Sequence, residues 1–330
     1  FSDTWGIFSL VYGFIFGTVL GVGIQLTALV KSDYKWKPEW QMDHAFKMTF
    51  LALIIPSLLN SVVGQINLFV NRFFASGTEP AAVTYLNNAS LITSIPNAIY
   101  ATTLAAIIFT LMSEQTNDVT KFRETVFRGM EISLVTLVPM AVGLFIVGDA
   151  VIAFIYERGM FTPEDTANTH IALLFYLPII IFQGMQLILS KSMYARGKTA
   201  VVFRISVTTI LVNILMNWLL VDKYGYPALA MSASVVSVYY FTVSMIVVYK
   251  DLGMNEFRRF ARMSVRVIIP ALLMAVSVWG AKVLFGAADW RPIIALAVLI
   301  PIGVVVYTIS LRIFYKEGFR RLLGMVRSKG

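Results

Sequence analysis

The 330 residues contain no cysteine, so no disulfide framework and no thiolate chemistry is available to this chain. Histidine is almost as scarce: His44 and His170 are too few and too far apart to suggest a metal site. Charged residues make up only 14% of the chain, and the acids are scattered. There is no Asp/Glu cluster to hold Mg²⁺ and no His/Arg phosphatase motif, which argues against an enzyme acting on polyprenyl phosphates. The opening apolar segment starts at Phe1 without a basic n-region, so it is not expected to be a secretory signal. What fills the space is apolar: 58% of residues are hydrophobic and mean hydropathy is +0.76. A soluble protein of this length could not hide that much apolar surface, so the expected class is an all-α polytopic membrane protein.

At about 20 apolar residues per crossing, about nine transmembrane helices are predicted, near 5–30, 46–74, 81–113, 127–148, 168–190, 200–221, 227–249, 265–286 and 292–315. The Lys and Arg residues then divide unequally between alternate loops. One side receives 22 of the 27; the other holds only Arg72, Arg158, Lys223, Lys282 and Arg291. The positive-inside rule makes the rich side cytoplasmic, with Phe1 outside and Gly330 inside. This placement also explains the net charge of +9: the basic loops are topology signals and contacts for membrane lipids, not a nucleic-acid surface.

The most informative stretch runs from Phe46 to Gln115, two apolar segments joined at Ala75-Ser-Gly-Thr-Glu-Pro80. On the first, Ser57, Asn60, Ser61, Gly64, Gln65, Asn67 and Asn71 fall on about half of the helix circumference. On the second, Thr84, Asn87, Asn88 and Ser94 do the same, and Pro96 interrupts the row before Asn97. Polar side chains at membrane depth face protein or a watery cavity. They act either as interhelical glue or as the lining of a hydrophilic path, and two adjacent polar faces favour the path. Its candidate lining is Asn60, Gln65, Asn71, Arg72, Asn87, Asn88, Ser94 and Asn97. Arg72 also reads as a snorkelling interfacial arginine.

Beyond Gly148, Val151 to Tyr156 is too short to cross and either continues its helix or dips at the interface. Thr162-Pro-Glu-Asp reads as a helix start, with Thr162 as N-cap and Pro163 at N1. Glu157, Glu164 and Asp165 have no partner base or nucleophile nearby and are not read as catalytic. Asn255 to Arg266, the most basic segment, resembles an interfacial amphipathic helix, or equally a connector between bundles. Glu131 is the one acid well inside a span, and Arg128 three residues away is its expected ion-pair partner.

Glu157-Arg-Gly-Met-Phe-Thr-Pro-Glu-Asp-Thr166 resembles the ERGxF loop of the MviN/MurJ family of lipid II flippases; Glu157, Arg158, Gly159 and Phe161 carry the match. The Pro56…Gln65-Ile-Asn…Phe74-Ala-Ser76…Pro96 run, Met193-Tyr-Ala-Arg-Gly-Lys-Thr199 and Phe16-Gly-Thr-Val-Leu-Gly-Val-Gly-Ile-Gln25 are similar to family elements in the same order. The family belongs to the multidrug/oligosaccharidyl-lipid/polysaccharide exporter superfamily, whose members have two six-helix lobes around a cavity. The resemblance implies that residues 1–45 are the last helix of the first lobe and its cytoplasmic linker. Residues 46–250 would be the second lobe, and residues 251–330 two extra helices with a basic tail. It implies that helices 1–5 are missing and would be the chain's partner. The implied function is transport without chemistry: undecaprenyl-pyrophosphate-linked peptidoglycan precursor (lipid II) crosses the bacterial cytoplasmic membrane by alternating access. The alternative is another exporter of the superfamily, an O-antigen or polysaccharide lipid flippase or a cation-coupled drug exporter.

Two departures bear on mechanism. A cavity arginine that family members carry five residues before the proline is replaced by Leu91, with Arg72 nearby as a substitute. Some relatives have a sodium site with acids where this chain has Asn71 and Asn217, beside Asn213 and Ser232. Neutral amides lack the charge that helps hold Na⁺, so no cofactor is expected, and Na⁺ or H⁺ coupling or the membrane potential stays open.

Overall fold

A computed structural model describes residues 8–31, 43–79, 81–101 and 106–327; within these, the side chains of 10, 45, 49, 52, 53, 56, 57, 59–61, 63 and 322–327 are not described. The described residues form helices throughout: α1 (Phe8–Lys31), α2 (His44–Ser76), α3 (Ala82–Tyr100), α4 (Ala106–Glu114), α5 (Val119–Tyr156), α6 (Pro163–Ala195), α7 (Thr199–Tyr224), α8 (Pro227–Leu252), α9 (Met254–Leu284), α10 (Pro292–Phe314) and α11 (Lys316–Arg327). Seven of them, α1 and α5 to α10, are long and apolar enough to cross a membrane. The nine expected spans are roughly matched, with α2 and the α3–α4 pair in the other two expected places.

By internal packing the chain separates into two units, Phe1–Leu53 and Ile54–Gly330. The first holds α1 and the opening of α2, both apolar. In the second, α6 is the central helix, packing most extensively on α8 and α5 and then on α3. Its buried row of Leu173, Ile180, Ile188 and Leu189 meets Leu137 and Met130 of α5 and Leu229 of α8 in one core. Small residues let α8 come close: Ala228, Ala230, Ser232, Ser234 and Ser244 are all buried. Helices α9 and α10 pack on each other, and both pack on α5.

Two helices are longer than their apolar runs suggested. α5 has 38 residues, about 57 Å at 1.5 Å per residue, against a hydrocarbon core of about 30 Å. Its start is capped by Asp118, whose carboxylate accepts the Lys121 N–H at 3.1 Å. That backbone hydrogen bond, with the Lys121 side chain adding to it, holds the Asp118 carboxyl below the usual carboxylate range. At the other end Val151–Tyr156 continues the helix, one of its two expected readings. α9 likewise runs unbroken from Met254, so the basic segment is the first part of a spanning helix. Phe260, Met263 and Val267 are buried on one face there, and Arg258, Arg262 and Arg266 are exposed on the other.

One expectation is overturned. Glu131 does not pair with Arg128, which bonds Glu124 at 3.1 Å instead. Glu131 is fully buried, and its partners are Arg321 at 3.0 Å and the Tyr315 hydroxyl. Sequence proximity favoured the neighbour one turn away, but Arg128 lies on the exposed side of α5 and its side chain is over half exposed.

Candidate functional site

The polar row on α2 divides in two. Asn67 and Asn71 share one stripe at helical spacing and are half-buried, whereas Gln65 and Arg72, about 120–140° round the helix from its midline, are exposed. Asn60 shares the register of Asn67 and Asn71, but its side chain lies outside the described residues. Gln65 borders an open hollow of about 430 Å³ otherwise lined by Leu58, Val62, Ile66 and Phe69, an apolar setting rather than a polar one.

Asn71 faces α7. The Asn217 side-chain amide donates to the Asn71 carbonyl oxygen at 3.1 Å and to the Asn213 carbonyl oxygen at 3.1 Å. Asn213 and Asn217 are buried, as is Ser232 on α8. Three of the four residues considered as an ion site are therefore joined directly. In this arrangement the N–H₂ of Asn217 points at the two oxygens that a cation would use. Turning that amide over alone would set its oxygen against two others. The Asn217 carbonyl oxygen and the Ser232 hydroxyl have no hydrogen-bond partner among the described residues.

On α3 the polar row lies on the open face, interleaved with exposed Val83, Leu91 and Ile95. Ala82, Tyr85, Leu86, Ala89, Ile92, Thr93 and Pro96 are buried on the opposite side. Thr84, Asn87 and Ser94 are exposed, and Asn88 is half-buried beside them. The Ser94 hydroxyl satisfies itself on the Leu91 carbonyl at 2.7 Å. Leu91, where family resemblance puts an arginine, is exposed on this face. Asn97 turns off it: its amide donates to the Gln183 carbonyl oxygen of α6 at 3.3 Å, and its own carbonyl oxygen is buried without a partner among the described residues. Beside it Gly184 brings α6 so close to α5 that an added Cβ would lie 2.0 Å from Leu137 Cδ1 and 3.1 Å from Ser133 Oγ. Gln183 was not among the expected residues.

The ERGxF loop forms the corner between α5 and α6. The Glu157 carboxylate accepts from the Thr166 hydroxyl at 2.9 Å. Gly159 has φ +65°, a left-handed conformation that suits glycine, and it lets the chain turn so that the Phe161 ring packs 5.9 Å from that of Tyr156. Thr162 then caps α6 in a full capping box with Asp165, and Tyr85 of α3 donates to the same Asp165 at 2.8 Å. Arg158 is exposed, bonded to the Ile155 carbonyl. The motif thus acts as a joint between three helices. A second link lies at this end of α5, where Lys282 of α9 bonds Asp149 at 2.7 Å and the Ile146 carbonyl at 2.9 Å.

Comparison with known proteins gives this arrangement a family. The family model "Lipid II flippase MurJ" matches residues 1–300. A probable lipid II flippase MurJ of Rickettsia prowazekii is 28% identical over 250 residues, covering 71% of this chain and 48% of that protein. Its counterpart in Vibrio cholerae is 24% identical over 284 residues, covering 86% and 52%. The chain spans about half the length of these curated relatives. Among solved structures, a lipid II flippase MurJ in an inward closed conformation superposes with a TM-score of 0.75 at 26% identity, covering 96% of this chain and 64% of that one. A MOP-superfamily transporter from Pyrococcus furiosus shares the fold at a TM-score of 0.53 and 15% identity. The chain is a multi-pass membrane protein that belongs to the MurJ lipid II flippase family.

Proposed function

We propose that this chain supplies the second lobe and the C-terminal helices of a flippase that carries lipid II from the inner to the outer leaflet of the bacterial cytoplasmic membrane by alternating access. Its basic side faces the cytoplasm, and a first lobe equivalent to family helices 1–5 is its partner. The observation that carries this reading is the match of one flippase family over nearly the whole chain, joined to an open polar face on α3. A disaccharide-peptide headgroup needs such a face as a wet wall, while a prenyl tail stays in lipid or in an apolar groove. Asn87, Asn88 and Ser94 are the residues of this wall, with Thr84 at its end. Asn71 belongs to packing, held against α7. Arg72 and Gln65, exposed on α2, are placed to meet polar parts of the substrate. No bond is made or broken, so the work is conformational.

The amide cluster at Asn217 supports coupling that does not use Na⁺ there, because it brings no carboxylate and its N–H₂ already occupies the Asn71 and Asn213 oxygens. Membrane potential or H⁺ is the driving force in this reading.

The test is depletion and rescue. A bacterium is deprived of its own lipid II flippase while this chain is expressed, alone and joined to a native first lobe. Growth restored by the joined form is expected. Failure of both forms, each inserted and well expressed, would transfer the reading to another exported lipid-linked glycan.

A further inference from the structure

We propose that α11 is a releasable clasp, held on the basic end of α5 by one buried carboxylate, and that it opens and closes as a unit separate from the rest of the bundle. The proposal does not depend on which lipid is transported. It begins with Glu131, a fully buried acid three turns into α5. A carboxylate at such depth is costly unless it is paired and hydrogen-bonded. Both partners come from the far end of the chain. Tyr315, in the bend between α10 and α11, donates its hydroxyl to Glu131 Oε1. Arg321 of α11 donates to the same oxygen at 3.0 Å and to the Tyr315 hydroxyl at 3.2 Å.

Gly318 makes this geometry attainable. A Cβ there would lie 1.9 Å from Tyr315 Cε1 and 2.4 Å from Cδ1 and Cζ, so the ring lies against the glycine Cα. Tyr315 is itself buried, leaving the ring no free direction to retreat. Phe127 of α5 sits next to the lock, with the Arg321 guanidinium 5.9 Å from its ring and the Arg259 guanidinium of α9 at 3.8 Å. Arg259 is in turn paired with Glu124 at 2.7 Å and Glu256 at 3.5 Å. The charged group that meets Glu131 is thus Arg321 from α11, while Arg259 from α9 and Arg128 pair with Glu124 on the same helix.

The lock is a single-point one. It uses one carboxylate oxygen and one guanidinium nitrogen, not the two-point fork that makes arginine–carboxylate pairs strongest. Glu131 Oε2 and Arg321 Nε have no hydrogen-bond partner among the described residues. The Arg321 side chain is about a third exposed, so undocking returns it to water at small cost, and the penalty of opening falls on Glu131. Docked, α11 ties the end of α10 to α5. Released, it frees that end while the α5–α6–α8 core stays packed.

The full chain in membrane vesicles tests this through tryptic cleavage after Lys316 and Arg320 and through hydrogen exchange along α11. Glu131→Gln and Arg321→Ala should each raise cleavage and exchange in α11 about tenfold or more, as expected for loss of a charged hydrogen bond. Exchange in α6 and α8 should stay unchanged. Arg321→Lys should retain most of the protection, and Gly318→Ala should lose it. If Glu131→Gln fails to fold, Arg321→Ala, altered at a partly exposed side chain, decides alone. Unchanged protection of α11 in Arg321→Ala, or a rise shared equally by α6 and α8, would overturn the clasp.

Discussion

Replacing Asn217 by leucine tests whether the amides on α2 and α7 hold helices together. Asn217 is fully buried and donates two hydrogen bonds, each 3.1 Å long. Leucine has the same branched heavy-atom skeleton and a larger volume, so no cavity opens, but the Asn71 and Asn213 oxygens lose their donor. Orphaned buried acceptors cost about 1–3 kcal/mol each in soluble proteins. In membrane proteins the measured coupling averages only about 0.6 kcal/mol, because the unfolded state in lipid finds other partners. The substitution also removes the Asn217 carbonyl oxygen, which has no partner among the described residues, and this offsets part of the loss. The expected net destabilisation is therefore about 1–2 kcal/mol, read from reversible denaturant unfolding in mixed micelles. Asn71→Leu should cost about half as much, since it removes one of the two bonds, and the double variant should cost less than the sum of the singles. A leucine variant as stable as the parent would refute the reasoning. So would an Asn71→Leu variant that folds with full stability yet fails in transport, because Asn71 would then act in the cavity.

Other predictions concern separate parts of the molecule. Asn87→Leu combined with Asn88→Leu should cut transport by the full transporter while insertion and expression stay normal; full activity would return these amides to a packing role. Gly184→Ala places a methyl group 2.0 Å from buried Leu137 Cδ1 and should destabilise the lobe by about 1–3 kcal/mol through overpacking, a loss that a thermal melt in detergent would register. Thr162→Ala removes the α6 cap and should cost about 1 kcal/mol, with faster hydrogen exchange in the first turn of α6. Asp118 has a depressed carboxyl pKa, so its cap on α5 is fully present above the ordinary aspartate value of about 3.9 and lost as pH falls through the lower native value. Exchange in the first turn of α5 should rise over that acid range, and Asp118→Asn should remove the pH dependence.

The helices were legible because apolar length and turn chemistry are local. Thr162 and Asp165 announced the start of α6 from four consecutive residues, and the capping box is there. The starts of α5 and α9 were not legible, because a helix that leaves the hydrocarbon layer continues on polar residues that hydropathy does not count. For the site, spacing correctly gathered the amides of α2 and α3 onto helix faces, but it could not say which face meets protein. Asn71 and Asn87 look alike in sequence; one is bonded to α7 and the other is exposed. Glu131 shows the same limit more sharply. Its partner, Arg321, lies 190 residues away, so a rule based on neighbours one turn apart chose Arg128. Gln183 was missed because a lone amide in an apolar run carries no pattern.

The most direct measurement of the central claim is transbilayer movement itself. The chain joined to a native first lobe from a MurJ flippase would be placed in vesicles containing lipid II with a fluorescent headgroup, and a quencher that cannot cross the membrane would be added outside. The account predicts that the quenchable fraction changes with time only when the joined protein is present, and that Asn87→Leu with Asn88→Leu slows the change. Lipid II that stays on its original side with well-folded joined protein present, under an imposed membrane potential or proton gradient, would contradict it.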